Sequence, residues 1–260
     1  MVSHYSRRQK AEESKQKKPR NTMQLLIDCG NRYLKWRTLP AHRSGRIDHR
    51  NSLSPLRQAW HELPPIQQVW IASVASRATA ATLQQLIESQ WGCPLHWVTA
   101  SAHALGVRNG YRNPKQLGVD RWLGLLAAPT HIADTAKAAL IADCGTAVTL
   151  DLLTAEGEHH PGPILPGLDG CYTCLLATTN IPNPPAEETE QAMRAGAKLA
   201  LSAAIDRYHR QWRERLPAGV QLLLTGGDAP TLLPHLEEPG QWLPELLLDG
   251  LARLAQAHDV

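Results

Sequence analysis

A six-residue pattern occurs twice in this chain, 115 residues apart: Leu26-Ile27-Asp28-Cys29-Gly30-Asn31 and Ile141-Ala142-Asp143-Cys144-Gly145-Thr146. Each copy closes an apolar run with an Asp-x-Gly bend and a polar residue. Each then enters a second apolar run, Tyr33–Leu39 in the first and Ala147–Leu153 in the second. Because the flanking runs recur together with the bend, the chain reads as a duplicated β-hairpin architecture. At 260 residues it has the length for two lobes of roughly 100–150 residues. Its apolar fraction of 43% excludes a disordered chain.

The remaining periodicities fill in an α/β order. Gln24–Ile27, Gln68–Ser73, His96–Val98, Ala139–Ala142 and Gln221–Leu224 are short apolar runs of strand length. Thr82–Gln90, Leu117–Ala128, Gln191–Leu216 and Leu243–Ala257 carry apolar residues at helical spacing. Ile181–Pro185 and Pro230–Pro244 are expected as Pro-rich loops. The expected division is a disordered basic tail at 1–22, an N-terminal lobe at 23–135 and a C-terminal lobe at 136–260.

An Asp-x-Gly bend at a strand end sets a carboxylate beside exposed backbone N–H groups, and glycine there lets a ligand come close. A carboxylate repels phosphate, so its natural partner is a bridging cation such as Mg²⁺, which takes one or two carboxylates plus phosphate oxygens. Lys35, on the returning run, supplies compensating charge. Taken singly, each bend is an ordinary hairpin turn; two of them with Lys35 suggest a cleft that grips a polyphosphate. The chain has neither G-x-x-x-x-G-K-[ST] nor G-x-G-x-x-G. A third glycine turn, Leu224-Thr225-Gly226-Gly227-Asp228, is of the strand-to-helix kind that suits a nucleotide.

These three turns resemble, in order, those of the actin-like ATPase and sugar-kinase superfamily. Tyr111-Arg112-Asn113-Pro114-Lys115-Gln116-Leu117-Gly118-Val119-Asp120-Arg121 is similar to the Y-x-x-P-x-x-L-G-x-D-R signature of type III pantothenate kinases. Asp143-Cys144-Gly145-Thr146-Ala147, with Thr149 and Asp151, resembles that family's second phosphate element. Gly162–Gly167 resembles its glycine–proline loop, with Pro163 where a second glycine is usual. Glu188-Thr189-Glu190-Gln191-Ala192 with Gly196 resembles its threonine segment.

The resemblance implies a duplicated actin-like ATPase (ribonuclease H-like) fold, two lobes with a cleft between them. It also implies ATP-dependent phosphorylation of pantothenate, the first step of coenzyme A synthesis. In that reading Asp120 is the general base. Asp28, Cys29, Gly30, Asn31, Arg32, Tyr33, Leu34, Lys35 and Thr146 contact ATP and Mg²⁺. Tyr111, Gly118, Val119, Asp120, Arg121 and Thr189 line the pantothenate site, with Arg121 binding anionic oxygen. Asp143 holds a monovalent cation, K⁺ or NH₄⁺, and the protein is a homodimer.

Charge bears on a rival reading, a non-enzymatic transcriptional accessory factor on the same fold. Residues 1–20 hold seven Lys or Arg against two Glu, so the formal +3 of the whole chain leaves −2 on the other 240 residues. The body therefore offers no bulk basic surface for nucleic acid, although the tail could serve as a basic arm. A translation start at Met23 would account for the tail. A kinase for another small hydroxy acid or sugar is the nearer alternative, against which Tyr111–Arg121 discriminates. Five cysteines and no run of about 20 apolar residues suggest a cytoplasmic protein with no membrane span. Cys171 and Cys174 are expected to be two reduced thiols near a loop.

Overall fold

The computed structural model describes residues 22–135 and 137–258, so the expected basic tail lies, except for Thr22, outside the described residues. Strands β1 (Gln24–Cys29), β2 (Tyr33–Leu39), β3 (Ser44–Asp48), β4 (Gln68–Ser73) and β5 (Leu95–Trp97) form one sheet in the order β3-β2-β1-β4-β5. A short hairpin, β6 (His103–Ala104) and β7 (Val107–Arg108), follows. Strands β8 (Ala138–Cys144), β9 (Ala147–Leu153), β10 (His159–Pro166), β11 (Val220–Thr225) and β12 (Gln241–Trp242) form the second sheet in the order β10-β9-β8-β11-β12. In both sheets the first three strands pair antiparallel, and the fourth and fifth add in parallel. The duplication read from two bends thus extends to every strand of the two large sheets.

Helices cover both faces of each sheet, which is why β1 is buried at every position and reads as an unbroken apolar run. Helices α1 (Pro55–His61) and α2 (Arg77–Gln90) pack on one face of the first sheet against Leu25, Ile27 and Trp36. Ser76 caps α2, its side chain accepting from Thr79 N–H at 3.1 Å. Helix α3 (Val119–Ala127) follows before the second sheet begins, and α4 (Leu168–Thr178), α5 (Glu187–Arg213), α6 (Ala229–Leu232) and α7 (Leu246–His258) come after its first strands. Residues of α5 and α6 join Leu140, Ala142 and Leu150 in the outer core of the second sheet.

Between the sheets lies a central core, in which Leu26 and Trp70 of the first sheet and Ala139 and Ile141 of the second meet α3 and α7. The two helices cross closely at Gly250, where a Cβ would stand 2.1 Å from the carbonyl oxygen of Leu123. No larger residue fits there without moving one helix. Successive strand side chains alternate between faces. Asp28 therefore shares the central face with Leu26, and Asp143 shares it with Ala139 and Ile141.

Several expectations differ in detail. Helix α3 starts at Val119 rather than Leu117, and α7 at Leu246 rather than Leu243. Helix α5 runs Glu187–Arg213, four residues earlier at its start than periodicity suggested. The Gly162–Gly167 segment is not a loop: most of it belongs to edge strand β10, with a register shift between Pro161 and Ile164. Proline lacks an N–H, so an edge strand and a bulge are where a sheet tolerates it. Cys171 and Cys174 sit on α4 rather than beside a loop, and both are free thiols. The Pro230–Pro244 region contains α6 and β12.

Candidate active site

Both bends deliver a carboxylate to the space between the sheets. Asp28 is the penultimate residue of β1, only 9% exposed, and faces Lys35 across the β1–β2 register. Asp143 is the penultimate residue of β8 and faces Thr149 in the equivalent position. Asp120 enters from a third direction, in the first turn of α3, where its Oδ1 accepts from the Arg121 backbone N–H at 2.8 Å. Lys35 Nζ donates to the Pro244 carbonyl at 2.8 Å, which anchors the first lobe to the chain entering α7.

The three acids lie close enough to alter one another. Burial, partly offset by Lys35 and reinforced by Asp120 and Glu245, pushes the Asp28 carboxyl up to about 7. Burial, with Asp120 and Asp28 adding to it, pushes Asp143 to about 7 as well. Asp120 is also raised by burial, against the pull of the Arg121 N–H and guanidinium. One lysine thus faces an excess of negative charge in a partly desolvated cleft.

A cation fits this donor set. Glu245, at the entry to α7, has a buried Oε2 with no hydrogen-bond partner and lies within electrostatic reach of Asp28. The donors are all oxygens, as a hard cation requires. Among the described residues no three His, Cys, Asp or Glu side chains form a ready metal cage. The arrangement therefore matches an ion that completes its shell with phosphate oxygens and water, the habit of Mg²⁺.

A cavity of about 480 Å³ opens beside these groups, lined by Lys35, Arg46, Gly226, Trp242, Pro244 and Glu245 among others. That volume lies in the range of small-molecule sites. Gly226 has φ of +88°, and a Cβ there would lie 2.2 Å from the Cys144 carbonyl oxygen and 2.7 Å from Asp143 Oδ1. Glycine is the residue that allows the third turn to close on the second bend.

The other expected residues divide into groups. Gly30 N–H donates to the Tyr33 carbonyl at 3.0 Å, and His49 Nε2 donates to the Gly30 carbonyl at 2.7 Å, fixing the first bend. Asn31 and Thr146 are exposed at their bends. Arg32 spans the cleft to Asp169 at 3.0 Å, and Tyr33 lies beneath the Arg46 guanidinium, 3.9 Å from its ring centre. Cys29 and Leu34 are fully buried, their side chains in the outer core of the first sheet, and burial lifts the Cys29 thiol to about 11. Val119 likewise packs in the central core. These three can offer a ligand backbone only.

Arg121, expected to meet anionic oxygen directly, is largely engaged by protein. Its Nε and Nη2 donate to the two oxygens of Asp151 at 2.6 and 2.5 Å, and its Nη1 donates to Tyr111 Oη at 2.8 Å. Asp151 is buried, and although burial works to raise it, the hydrogen bonds from His159 and the Arg121 guanidinium hold its carboxyl below the usual range. His159 completes the cluster: Gly110 N–H donates to its Nδ1 at 3.3 Å, so the proton resides on Nε2, which donates to Asp151 at 2.9 Å. Its ring stacks with Tyr111, centroids 6.2 Å apart. Sequence reading missed His159, Glu245 and Trp242, because their roles come from contacts that no local spacing encodes. Thr189 sits on the first turn of α5, and among the described residues no hydrogen bond or ring contact joins it to Tyr111–Arg121.

Two lobes of one topology, with a carboxylate-tipped bend from each and a third acid on the helix between them, are the duplicated α/β arrangement that the resemblance to the actin-like ATPase and sugar-kinase superfamily implies. Residues 24–211 match the family model described as type III pantothenate kinase. A curated relative named type III pantothenate kinase from Nitrosococcus oceani is 36% identical over 250 residues, covering 90% of this chain and 94% of the relative. Another of the same name from Chromobacterium violaceum is 38% identical over 245 residues, covering 90% and 99%. The chain belongs to the type III pantothenate kinase family. The fold is shared with a solved Campylobacter jejuni structure described as a Baf family transcriptional activator, at TM-score 0.54 and 17% identity, covering 90% of this chain and 98% of that one.

Proposed function

We propose that this protein transfers the γ-phosphoryl group of ATP to the primary hydroxyl of pantothenate, the first step of coenzyme A synthesis. The observation that carries the reading is the convergence of Asp28, Asp120 and Asp143 with Lys35 on one cleft. Residues 23–135 and 136–260 act as the two phosphate-gripping lobes.

Phosphoryl transfer asks little covalent chemistry of a protein and much positioning. The bend from Asp28 to Lys35 and the bend at Thr146 present backbone N–H groups and the Lys35 ammonium to the triphosphate. Mg²⁺, held by Asp28 with Glu245 beside it, would neutralise charge on the phosphate oxygens. Asp143 offers its carboxylate to K⁺ or NH₄⁺ near the same phosphates.

Asp120 orients the acceptor hydroxyl and takes its proton. Its position in the first turn of α3 favours the ionised form, while burial weakens its solvation and raises its basicity. Arg121, clamped to Asp151, holds Tyr111 at the edge of the acceptor site through the bond to its hydroxyl. Gly118 lets the chain approach the substrate next to Asp120, and Thr189 adds to the site.

A homodimer is part of this reading. One face of α5 exposes Ala192, Ala195, Gly196 and Leu199, the last 71% exposed. Leu175 of α4 and Ile164 of β10 are exposed large apolar residues too. Among the described residues no helix is long and apolar enough to cross a membrane, which fits the cytoplasmic setting we assign. The test is ADP release coupled to a reporter enzyme, with pantothenate, with other hydroxy acids or sugars, and in K⁺ or Na⁺. The proposal requires turnover that depends on pantothenate and rises with K⁺; turnover with a sugar alone would reject it.

A further inference from the structure

Five of the eight tryptophans pack against another aromatic ring: Trp36 on Trp60, Trp60 on Trp91, Trp70 on His96, and Trp212 on Tyr208. Trp242 does not. It is 47% exposed on the two-residue edge strand β12, and among the described residues no ring or guanidinium stacks on it. Trp97 is likewise exposed, at 40%, with no aromatic partner among the described residues; what sets Trp242 apart is the cavity that its indole borders.

Strand β12 pairs with β11 so that Trp242 lies opposite Leu224, two residues before the Gly226-Gly227 turn. Trp242 therefore flanks that turn and lines the same cavity as Lys35. A Cβ built on Gly227 meets no atom within 4 Å, so the turn leaves open space beside the indole. Pro230 and Pro244 extend the apolar wall, whereas Lys35 and Glu245 make the remainder polar. The cavity thus has a cationic region, marked by Lys35 and Arg46, and a flat π surface bordered by prolines and glycine.

We propose that Trp242 is the stacking platform for the base of the bound nucleotide, making it a determinant of nucleoside affinity separate from the triphosphate grip. The proposal rests on the nucleotide reading given above and adds the location of the base. Stacking a base on an aromatic side chain changes affinity by about tenfold or more, and every base has a π face to offer.

The test uses the full chain and calorimetric titration with two probes in Mg²⁺, namely ADP and inorganic tripolyphosphate, which has no base. Trp242→Ala should weaken ADP binding about tenfold and leave tripolyphosphate within about twofold. Trp242→Phe, which keeps a ring, should restore ADP to within about threefold of wild type. Unchanged ADP affinity in Trp242→Ala overturns the proposal. So does an equal loss for both ligands, which marks a damaged cavity. Wild-type protein that binds neither probe sinks the nucleotide reading itself and the platform with it.

Discussion

The two Asp-Cys-Gly bends share a backbone plan and differ in charge. Opposite Asp28 the returning strand places Lys35; opposite Asp143 it places Thr149. The first bend carries its own counter-charge, fixed to the Pro244 carbonyl. The second has none at that position, and Gly226 closes tightly over its carboxylate. Both acids are nonetheless lifted to about 7, so one lysine does not balance the cleft. Duplication supplied two equivalent turns, and divergence at a single facing position gave a lysine to one and not to the other; in the function we propose, that difference makes the first a grip for phosphate and the second a seat for a monovalent cation.

The largest effect should come from the acid that belongs to neither bend. Asp120→Asn keeps the size but cannot take a proton, and should lower kcat by about 10²–10⁴-fold while ADP still binds; wild-type turnover in the variant would remove Asp120 from the chemistry. In the wild type, the pH profile of kcat/KM should fall on its acid side above the usual carboxylate range. In the function we propose Asp120 works ionised, and its carboxyl is raised by burial, so activity should be lost as pH drops through that raised value.

Next in size is the strut beside the second bend. Asp151→Ala leaves Arg121 buried without its carboxylate and should cost about 3–5 kcal/mol in denaturant unfolding. The sign with pH follows from the depressed carboxyl of Asp151. Its contribution is complete above the unfolded value of about 3.9 and is lost as pH falls through the lower folded value. A variant as stable as wild type at pH 7 would show that the strut is idle.

Smaller changes probe the contrast directly. Lys35→Met removes the counter-charge of the first bend and should reduce kcat/KM for ATP about 10–100-fold, in line with loss of a charged hydrogen bond. Asp143→Asn should mainly erase the preference for K⁺ over Na⁺, bringing the two rates to within about twofold, a small effect compared with losing the base. If Lys35→Met abolished the K⁺ effect and Asp143→Asn did not, the assignment of the two bends would have to be exchanged.

Much of this was legible in the sequence because it is local. A strand that runs apolar into Asp-Cys-Gly announces its bend, and its parity predicts the face on which the aspartate emerges. Edge strand β10 was hidden by Pro161, Pro163 and Pro166, which argue against a strand unless its edge position is known. Helix α4 was hidden because none of its residues is buried, so it lacks the apolar stripe that periodicity detects. The contacts of Asp151 with Arg121 and His159 span 30 and 8 residues, and nothing in either segment encodes the other. The family signature located Arg121 but could not reveal that its guanidinium is largely taken up inside the protein.

Helix α7 is the last element described, yet it packs with Leu26 and Trp70 of the earliest strands. During synthesis on the ribosome, the inner surface of the first sheet therefore has only α3 as its cover until α7 has emerged as well. Chains truncated before Leu246 would leave Leu26 and Trp70 without their α7 contacts and should be captured by chaperones or degraded rather than accumulate as half-enzymes.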